Sequence, residues 1–376
     1  MLFFKSLDHE EEFYDANSDS THHWTLTNLT FSKFTIIAGL NGTGKTKTCN
    51  VIRNTVMKII EPMKVLMVGN TDLTFNISEN QSYKFMISIE EDINRRRRIN
   101  KEELYDVGET AVLFSRDNLL FNRRVIYDAT SKKHTDYSPP DDTLTFHVRR
   151  DKVSYPYIEE IITEMKKFHF LDSEEPPALA AGDISGGKSP TQLPIQILPS
   201  LTPLWYEKIE PGKKIEILDD LNSLDFPIKN IFVKEIIIAG QRIPMLYFEE
   251  EGVKGTYDFF QISSGMKKIL FVIVFLHLIE KGSCVLMDNV GDGLDFKRSV
   301  NILPIIEKIA ADKQIIISTN NEILLNQTDI RNWNILFREG DIVKAYNYEN
   351  SKEQLTKFAN TGLSNYEYFQ DKYFLK

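Results

Sequence analysis

The stretch Gly39-Leu40-Asn41-Gly42-Thr43-Gly44-Lys45-Thr46 fits the pattern G-x-x-x-x-G-K-[ST] at every defined position. Residues of these types at this spacing hold phosphate. Glycines let the backbone turn tightly and aim N–H groups at the β- and γ-phosphates. Lys45 would neutralise phosphate charge, and the Thr46 hydroxyl would complete the shell of a Mg²⁺ ion. Asn41, Gly42, Thr43, Gly44, Lys45, Thr46 and the next residue, Lys47, are the candidate nucleotide contacts. The flanks fit the pattern's context. Phe34-Thr35-Ile36-Ile37-Ala38 is an apolar run bounded by Gly39, as a buried strand would be. Behind the loop, Val51, Ile52, Val56 and Met57 recur at near-helical spacing from Lys45 to Met57.

A second set of residues lies far downstream. Ser283-Cys284-Val285-Leu286-Met287-Asp288 is an apolar run ending in an acid. That is the Walker B arrangement, in which a buried strand carries Asp288 to a water on Mg²⁺. Just before it, Ile262-Ser263-Ser264-Gly265-Met266 opens an apolar helix from Lys267 to Glu280. A helix N-terminus exposes unpaired N–H groups and a positive dipole end, so Ser263 and Gly265 mark a second anion site. Across a head-to-tail pair of chains, that site would close on the partner's γ-phosphate.

These pieces sit in a chain of 376 residues, 42% hydrophobic and 26% charged, long enough to bury a full core. The net charge of −9 argues against general coating by nucleic acid and leaves room for a local basic patch. The two cysteines, Cys49 and Cys284, read as small core residues, with neither a metal nor a disulfide framework. The start runs straight into acidic Asp8-His9-Glu10-Glu11-Glu12, and the longest apolar run, Ile269 to Ile279, is short of the roughly 20 residues that span a bilayer. A soluble, cytoplasmic protein without a membrane partner is expected.

Strands are expected at Leu2-Phe3-Phe4 and Trp24 to Thr27 around an acidic turn region, then at Leu73 to Ile77, Tyr83 to Ile89, Val112 to Phe114 and Arg124 to Tyr127. Arg95-Arg96-Arg97-Arg98, flanked by acids, reads as a solvated hairpin tip; contact with DNA phosphates is the sharper alternative. Ile158, Ile161, Ile162, Met165 and Phe168 mark an amphipathic helix. Residues Asp172 to Gly212 hold seven of the 14 prolines, which predicts a long surface insertion. A helix from Lys214 to Leu224 and strands at Ile231 to Val233, Glu235 to Ile238 and Met245 to Phe248 follow. The tail, with Tyr366, Tyr368, Phe369, Tyr373 and Phe374, is aromatic; it packs on its own core or docks a partner.

The set resembles the ABC-type ATPases, specifically the OLD, RecF and SMC branch. Gly-x-Asn-Gly-x-Gly-Lys-Thr at 39–46 is that branch's form of the loop, and Ile262-Ser263-Ser264-Gly265 looks like its signature motif. Asp288 to Asp295 has the eight-residue length of the usual D-E-P-x-x-x-L-D and ends in Leu294-Asp295. Glu103-Leu104-Tyr105 and Leu113 to Asp117 look like the lobe of short OLD-like ATPases. A competing signature, Ile184-Ser185-Gly186-Gly187-Lys188, runs into Pro190 and Pro194 and cannot open a long helix. The resemblance implies an α/β P-loop NTPase of ABC type with an antiparallel β lobe and an inserted, partly helical region. The expected division is 1–150, 151–230 and 231–376. ATP and Mg²⁺ would lie between Lys45, Thr46 and Asp288 of one chain and Ser263 and Gly265 of another, with Asp295 a further candidate nucleotide contact.

Two departures from the family pattern stand out. The Glu after the Walker B Asp is Asn289 here, and the His after the next strand, Ile315 to Thr319, is Asn320. An amide cannot take a proton as a general base. Phosphate-binding positions are kept while two catalytic positions carry amides, which predicts ATP binding, ATP-dependent pairing and slow hydrolysis. Asp292 or Asp295 is the alternative base. Asn118 and Gln241 are the candidates for the family's Gln loop. The implied function is a nucleotide-gated homodimer or higher homo-oligomer that holds a partner effector, in anti-phage defence or DNA-linked work. The alternatives are an actively hydrolysing ATPase acting on DNA and, less in keeping with the insertion, a transporter subunit.

Overall fold

The computed structural model describes residues 1–15, 20–62, 68–91, 96–117, 123–171, 196–197, 202–238, 241–291 and 293–376. The N-terminal part runs β1 (Phe3–Asp15), β2 (Ser20–Thr30), β3 (Phe34–Ala38), α1 (Lys45–Ile60), β4 (Gly69–Asn76), β5 (Ser82–Glu91), β6 (Arg97–Asp106), β7 (Ala111–Asp117), β8 (Arg123–Asp128) and β9 (Lys133–Asp136). Next come α2 (Thr145–Val148), α3 (Pro156–Met165), β10 (Phe168–Leu171), β11 (Gln196–Ile197), α4 (Thr202–Glu207), α5 (Pro211–Ser223), β12 (Ile228–Ile238), β13 (Gln241–Glu250) and β14 (Tyr257–Asp258). The C-terminal part holds α6 (Ser264–Leu278), β15 (Cys284–Met287), α7 (Phe296–Ile309), β16 (Gln314–Thr319), α8 (Glu322–Gln327), β17 (Trp333–Glu339), β18 (Ile342–Asn347), α9 (Lys352–Ala359) and α10 (Asn365–Gln370).

One long sheet joins the two halves of the chain. Its parallel part has the order β11-β10-β15-β16-β3-β17. Strand β18 turns back antiparallel to β17 and lies parallel to β2; from there β2-β1-β4-β5-β6-β7-β8-β9 is antiparallel throughout. Parallel strands in the middle of an α/β sheet are covered on both faces, so they are apolar without alternation. Every residue of β15 and β16 is buried accordingly. Ile36, Ala38, Val285, Met287, Ile315 and Ile317 face one core with α6 and α7; Ile37, Cys284, Leu286 and Ile316 face the other with α1 and α3. Both cysteines are buried in it, as expected. Strands β12, β13 and β14 form a separate small sheet just ahead of α6, and its Ile231, Leu246 and Phe248 pack into the same core as α6. Among the described residues no helix is long and apolar enough to cross a membrane.

Several elements differ from the sequence expectation. The acidic segment Asp8 to Glu12 is strand, not turn: β1 and β2 pair continuously from Glu10↔Thr25 to Asp15↔Ser20. Alternation explains it, because His9 and Glu11 point inward while Asp8, Glu10 and Glu12 face water. The helix expected to reach Phe168 ends at Met165, and Phe168 opens β10, whose buried side chains pair with β15. Thus β10 and β11, inside the block 151–230, belong to the main sheet. The two strands expected at Ile231 to Ile238 are one, β12. Of the proline-rich stretch, α4 is described and carries Trp205 and Tyr206 into the core; the competing signature at 184–188 lies outside the described residues.

Lys58, in the last turn of α1, is only 5% exposed. Burial pushes its ammonium down to about 8, with nearby Glu11 opposing. The folded value lies below the unfolded one, so between about pH 8 and about 10.5 the unfolded chain holds a proton the fold has released. Stability from this group therefore rises with pH through that window. A shift of this size costs roughly 3 kcal/mol at pH 7. Lys58→Met is expected to raise unfolding free energy at pH 7 by up to that amount, and the gain should shrink by pH 9.5. Denaturant titrations at both pH values check it; a gain independent of pH would show that the charge is not desolvated.

Candidate nucleotide site

Strand β3 delivers its buried end to a loop that only glycine can form. Gly42 (φ +81°) and Gly44 (φ +100°) lie in the left-handed region. A Cβ on Gly39 would stand 2.4 Å from Thr43 Oγ1. The loop closes as Thr43 donates from both its N–H (3.2 Å) and its hydroxyl (2.8 Å) to the Leu40 carbonyl. Lys45 folds back and donates to the Gly39 (2.7 Å) and Leu40 (3.4 Å) carbonyls, which holds its ammonium at the loop's mouth. Helix α1 has 16 residues and no side-chain cap hydrogen bond at its N-terminus, the positive end of the helix dipole. Thr46 is exposed in the first turn.

The antiparallel lobe braces this helix start. The buried Trp24 ring lies against Gly44, where a Cβ would be 3.4 Å from it. Lys47, expected among the nucleotide contacts, instead places its ammonium 2.5 Å from Glu11 and 4.6 Å from the centre of the Trp24 ring. Burial pushes the Glu11 carboxyl up, but hydrogen bonds from His9 and Lys47 outweigh it and hold the carboxyl below its ordinary range. Sequence reading missed this trio. The available signal was the alternation of Leu7, His9 and Glu11, which puts the last two on the inner face.

Asp288, at the end of β15, is 5% exposed. Its Oδ1 accepts from the Ser318 hydroxyl of β16, and Cys49 of α1 donates to the same atom at 3.7 Å. The acid is thus held against the second turn of the phosphate-loop helix. Asn289 follows in the left-handed region (φ +53°), and its N–H donates to Ser318 Oγ (3.0 Å). The next residues are laced to the end of β16 and the start of α8: Thr319 Oγ1 donates to the Val290 carbonyl (3.0 Å), and Asn321 Nδ2 to that of Gly291 (3.4 Å). Asn320 Nδ2 donates to Asn41 Oδ1 at 3.0 Å, so Asn320 touches the loop at 39–46 directly.

Asp292, the first alternative base, lies outside the described residues. Asp295, the second, is the N-cap of α7: it accepts from the Arg298 N–H (3.0 Å) and pairs with the Arg298 guanidinium. The Arg298 backbone and side chain hold its carboxyl below the usual range, which disfavours it as a proton acceptor. Ser263 caps α6 by accepting from the Met266 N–H (3.2 Å). A Cβ on Gly265 would stand 2.9 Å from the Gly293 carbonyl, so glycine lets the start of α6 lie against residues 293–294. Arg96, Arg97 and Arg98 are exposed, and Arg97 is 3.5 Å from Glu91 across the hairpin. Arg95 and Asn118 lie outside the described residues, as does the side chain of Gln241.

The family model that matches, over residues 72–326, is described as "AAA domain, putative AbiEii toxin, Type IV TA system". The chain belongs to this AAA-domain family. Its match spans residues 262–265, Asp288 and Asn320, and the ABC-type ATPase resemblance read from the motifs stands with it. No curated protein matches the chain. Solved structures similar to it include an SMC head bound to the C-winged helix domain of ScpA (10% identity, TM-score 0.44, 91% of this chain and 97% of that one). Two others are an SMC head domain from Thermotoga maritima (12%, 0.40, 91% and 98%) and one from Pyrococcus furiosus with an extended coiled coil, bound to the C-terminal domain of ScpA (11%, 0.42, 96% and 100%).

Proposed function

We propose that this AAA-family chain binds ATP with Mg²⁺, pairs head-to-tail on it, and serves as a slowly hydrolysing switch or scaffold for a partner effector in anti-phage defence or DNA-linked work. One observation carries the reading. The glycine loop at 39–46 keeps every position of its pattern and holds the Lys45 ammonium on the Gly39 and Leu40 carbonyls, while the residue after Asp288 is an amide whose backbone N–H donates to Ser318 Oγ. Lys45 and the α1 N–H groups would take the β- and γ-phosphates. The Thr46 hydroxyl and Asp288 would hold Mg²⁺, which supplies charge neutralisation between those phosphates. Asn320 and Asn41 form an amide pair at the loop with no proton acceptor of useful basicity. The family description, naming a toxin and a toxin–antitoxin system, agrees with a defence role. The competing reading, a working ATPase on DNA, draws on the exposed Arg96 to Arg98 and would need Asp292 as base.

Ser263→Asp separates binding from pairing. Asp caps a helix as well as Ser, so α6 keeps its acceptor. The added carboxylate would face the partner's polyphosphate and repel it. ATP affinity of the single chain is expected to stay within about twofold, while ATP-dependent dimer, measured by sedimentation, falls at least about tenfold. A variant that pairs like the unmodified chain would remove Ser263 from the interface.

A further inference from the structure

Lys47 is the third residue of α1, and its ammonium stands 2.5 Å from the carboxylate of Glu11, buried on β1. A buried histidine holds Glu11 as well. His9 Nε2 is 3.4 Å from Glu11 Oε2, and His9 Nδ1 is 2.8 Å from Thr71 Oγ1 of β4. A neutral ring satisfies both contacts, accepting from Thr71 at Nδ1 and donating to Glu11 from Nε2. The carboxylate thus keeps a hydrogen-bond donor when Lys47 is elsewhere. The bridge between Glu102 and Arg116 is of another kind. Both of its side chains are fully buried, and Arg116 also donates to the Pro140 and Thr143 carbonyls (2.9 and 2.8 Å). Arg116 has no way out, whereas the Lys47 side chain is 35% exposed. Its way out leads toward the phosphate loop. Cα–Cβ bonds in a helix lean toward the N-terminus, and Lys47 lies only about 3 Å along the axis from Lys45. The Trp24 ring joins the two places. Its centre is 4.6 Å from the Lys47 ammonium, and its Cζ2 would be 3.4 Å from a Cβ on Gly44. A cation crossing such a ring stays on a favourable surface.

We propose that Lys47 is a phosphate ligand with two seats, the Glu11 carboxylate and a bound triphosphate, and that Glu11 is the positioning residue that sets how tightly ATP is held. The inference rests on the ATP binding at 39–46 proposed above and adds a competition to it. Moving Lys47 onto phosphate leaves a buried carboxylate without its cation, which subtracts from the binding energy. Glu11 therefore holds ATP affinity below what the loop and two lysines would reach together. The same exchange ties the nucleotide to the antiparallel lobe. Glu11 belongs to β1, which pairs with β2 on one side and β4 on the other. When Lys47 turns to phosphate, α1 gives up its ion pair with that strand.

Glu11→Gln keeps the side chain's shape and removes the competing charge. Affinities for ATP and for inorganic tripolyphosphate are measured in about 0.3 M salt, where charges more than about 6 Å apart are largely screened, so that contact is read rather than distant attraction. Glu11→Gln is expected to bind both ligands about tenfold more tightly than the unmodified chain, while melting at a lower temperature without them. Adding Lys47→Met to the Glu11→Gln chain should cancel the gain. A bridge that only held the fold together would lower affinity and stability alike. Glu11→Asp keeps the charge but shortens its reach; it should gain about threefold and decides the matter if the Gln variant does not fold. If the unmodified chain binds neither ligand, the ATP reading itself falls. If it binds them and neither Glu11 variant binds more tightly, or the gain survives Lys47→Met, the two-seat inference is overturned and ATP binding stands.

Discussion

Lys45→Ala is expected to weaken ATP binding about 100-fold or more. The ammonium now lies on the Gly39 and Leu40 carbonyls, which places it where phosphate oxygens would arrive. Hydrogen bonds to charged groups contribute about 1.5–3 kcal/mol each, and two of them amount to at least two decades in affinity. The change costs the empty fold less. Lys45 is buried as an aliphatic stem, and its carbonyl partners lie in a loop whose turn is independently held by Thr43. A thermal-shift experiment separates the two effects. ATP at about 100 times its dissociation constant adds about 2.7 kcal/mol to the unmodified chain. The variant should melt near the same temperature without ATP and show almost no shift with it. A shift like that of the unmodified chain would mean that the loop is not the phosphate cradle.

The parts of this site legible in the sequence are those made by neighbours along the chain. Strand, loop and helix at 34–60 follow from an apolar run, two glycines with positive φ, and 3.6-residue spacing. The Asp288 strand and the Ser263 helix follow in the same way, because each is one element with one end that matters. The missed features come from contacts far apart in sequence. Nothing near Glu11 announces that Lys47 will reach it, or that Trp24 will wall Gly44; those depend on β1 and β2 lying beside α1. The acidic run at 8–12 looked like a turn because charge was counted without regard to alternation, and the inward carboxylate has cationic partners supplied by α1. Phe168 fits a helical repeat as well as a strand, and its pairing with β15 decides the matter. Asp295 was legible in another sense: an Asp just before an apolar-periodic helix is an N-cap signal, and the motif reading masked it.

Asn289→Glu should raise ATP turnover by about 100-fold. The amide at 289 cannot take a proton from water, and a positioned base contributes roughly 10²–10⁴-fold. The substitution leaves the main-chain bond to Ser318 intact, since that bond uses the backbone N–H. It has a cost: φ is +53°, where Asn is at ease and Glu loses about 1 kcal/mol or more, so slightly lower stability should accompany the gain in rate. The new carboxylate would lie next in sequence to Asp288, and like charge at short range raises a carboxyl's pKa toward the range of a useful base. Asn289→Asp is the control for reach. Its carboxylate falls short by one methylene, and a misplacement of about 1 Å can cost 10²-fold, so it should gain little. The same Glu should turn an ATP-stabilised pair into one that dissociates as ATP is consumed, which light scattering after a limited ATP pulse would follow. If the unmodified chain already turns over briskly and Glu changes little, the base is another acid. With Asp295 held by Arg298 and the α7 N-terminus, that acid would be Asp292, and Asp292→Asn should then abolish the rate while leaving ATP-dependent pairing in place.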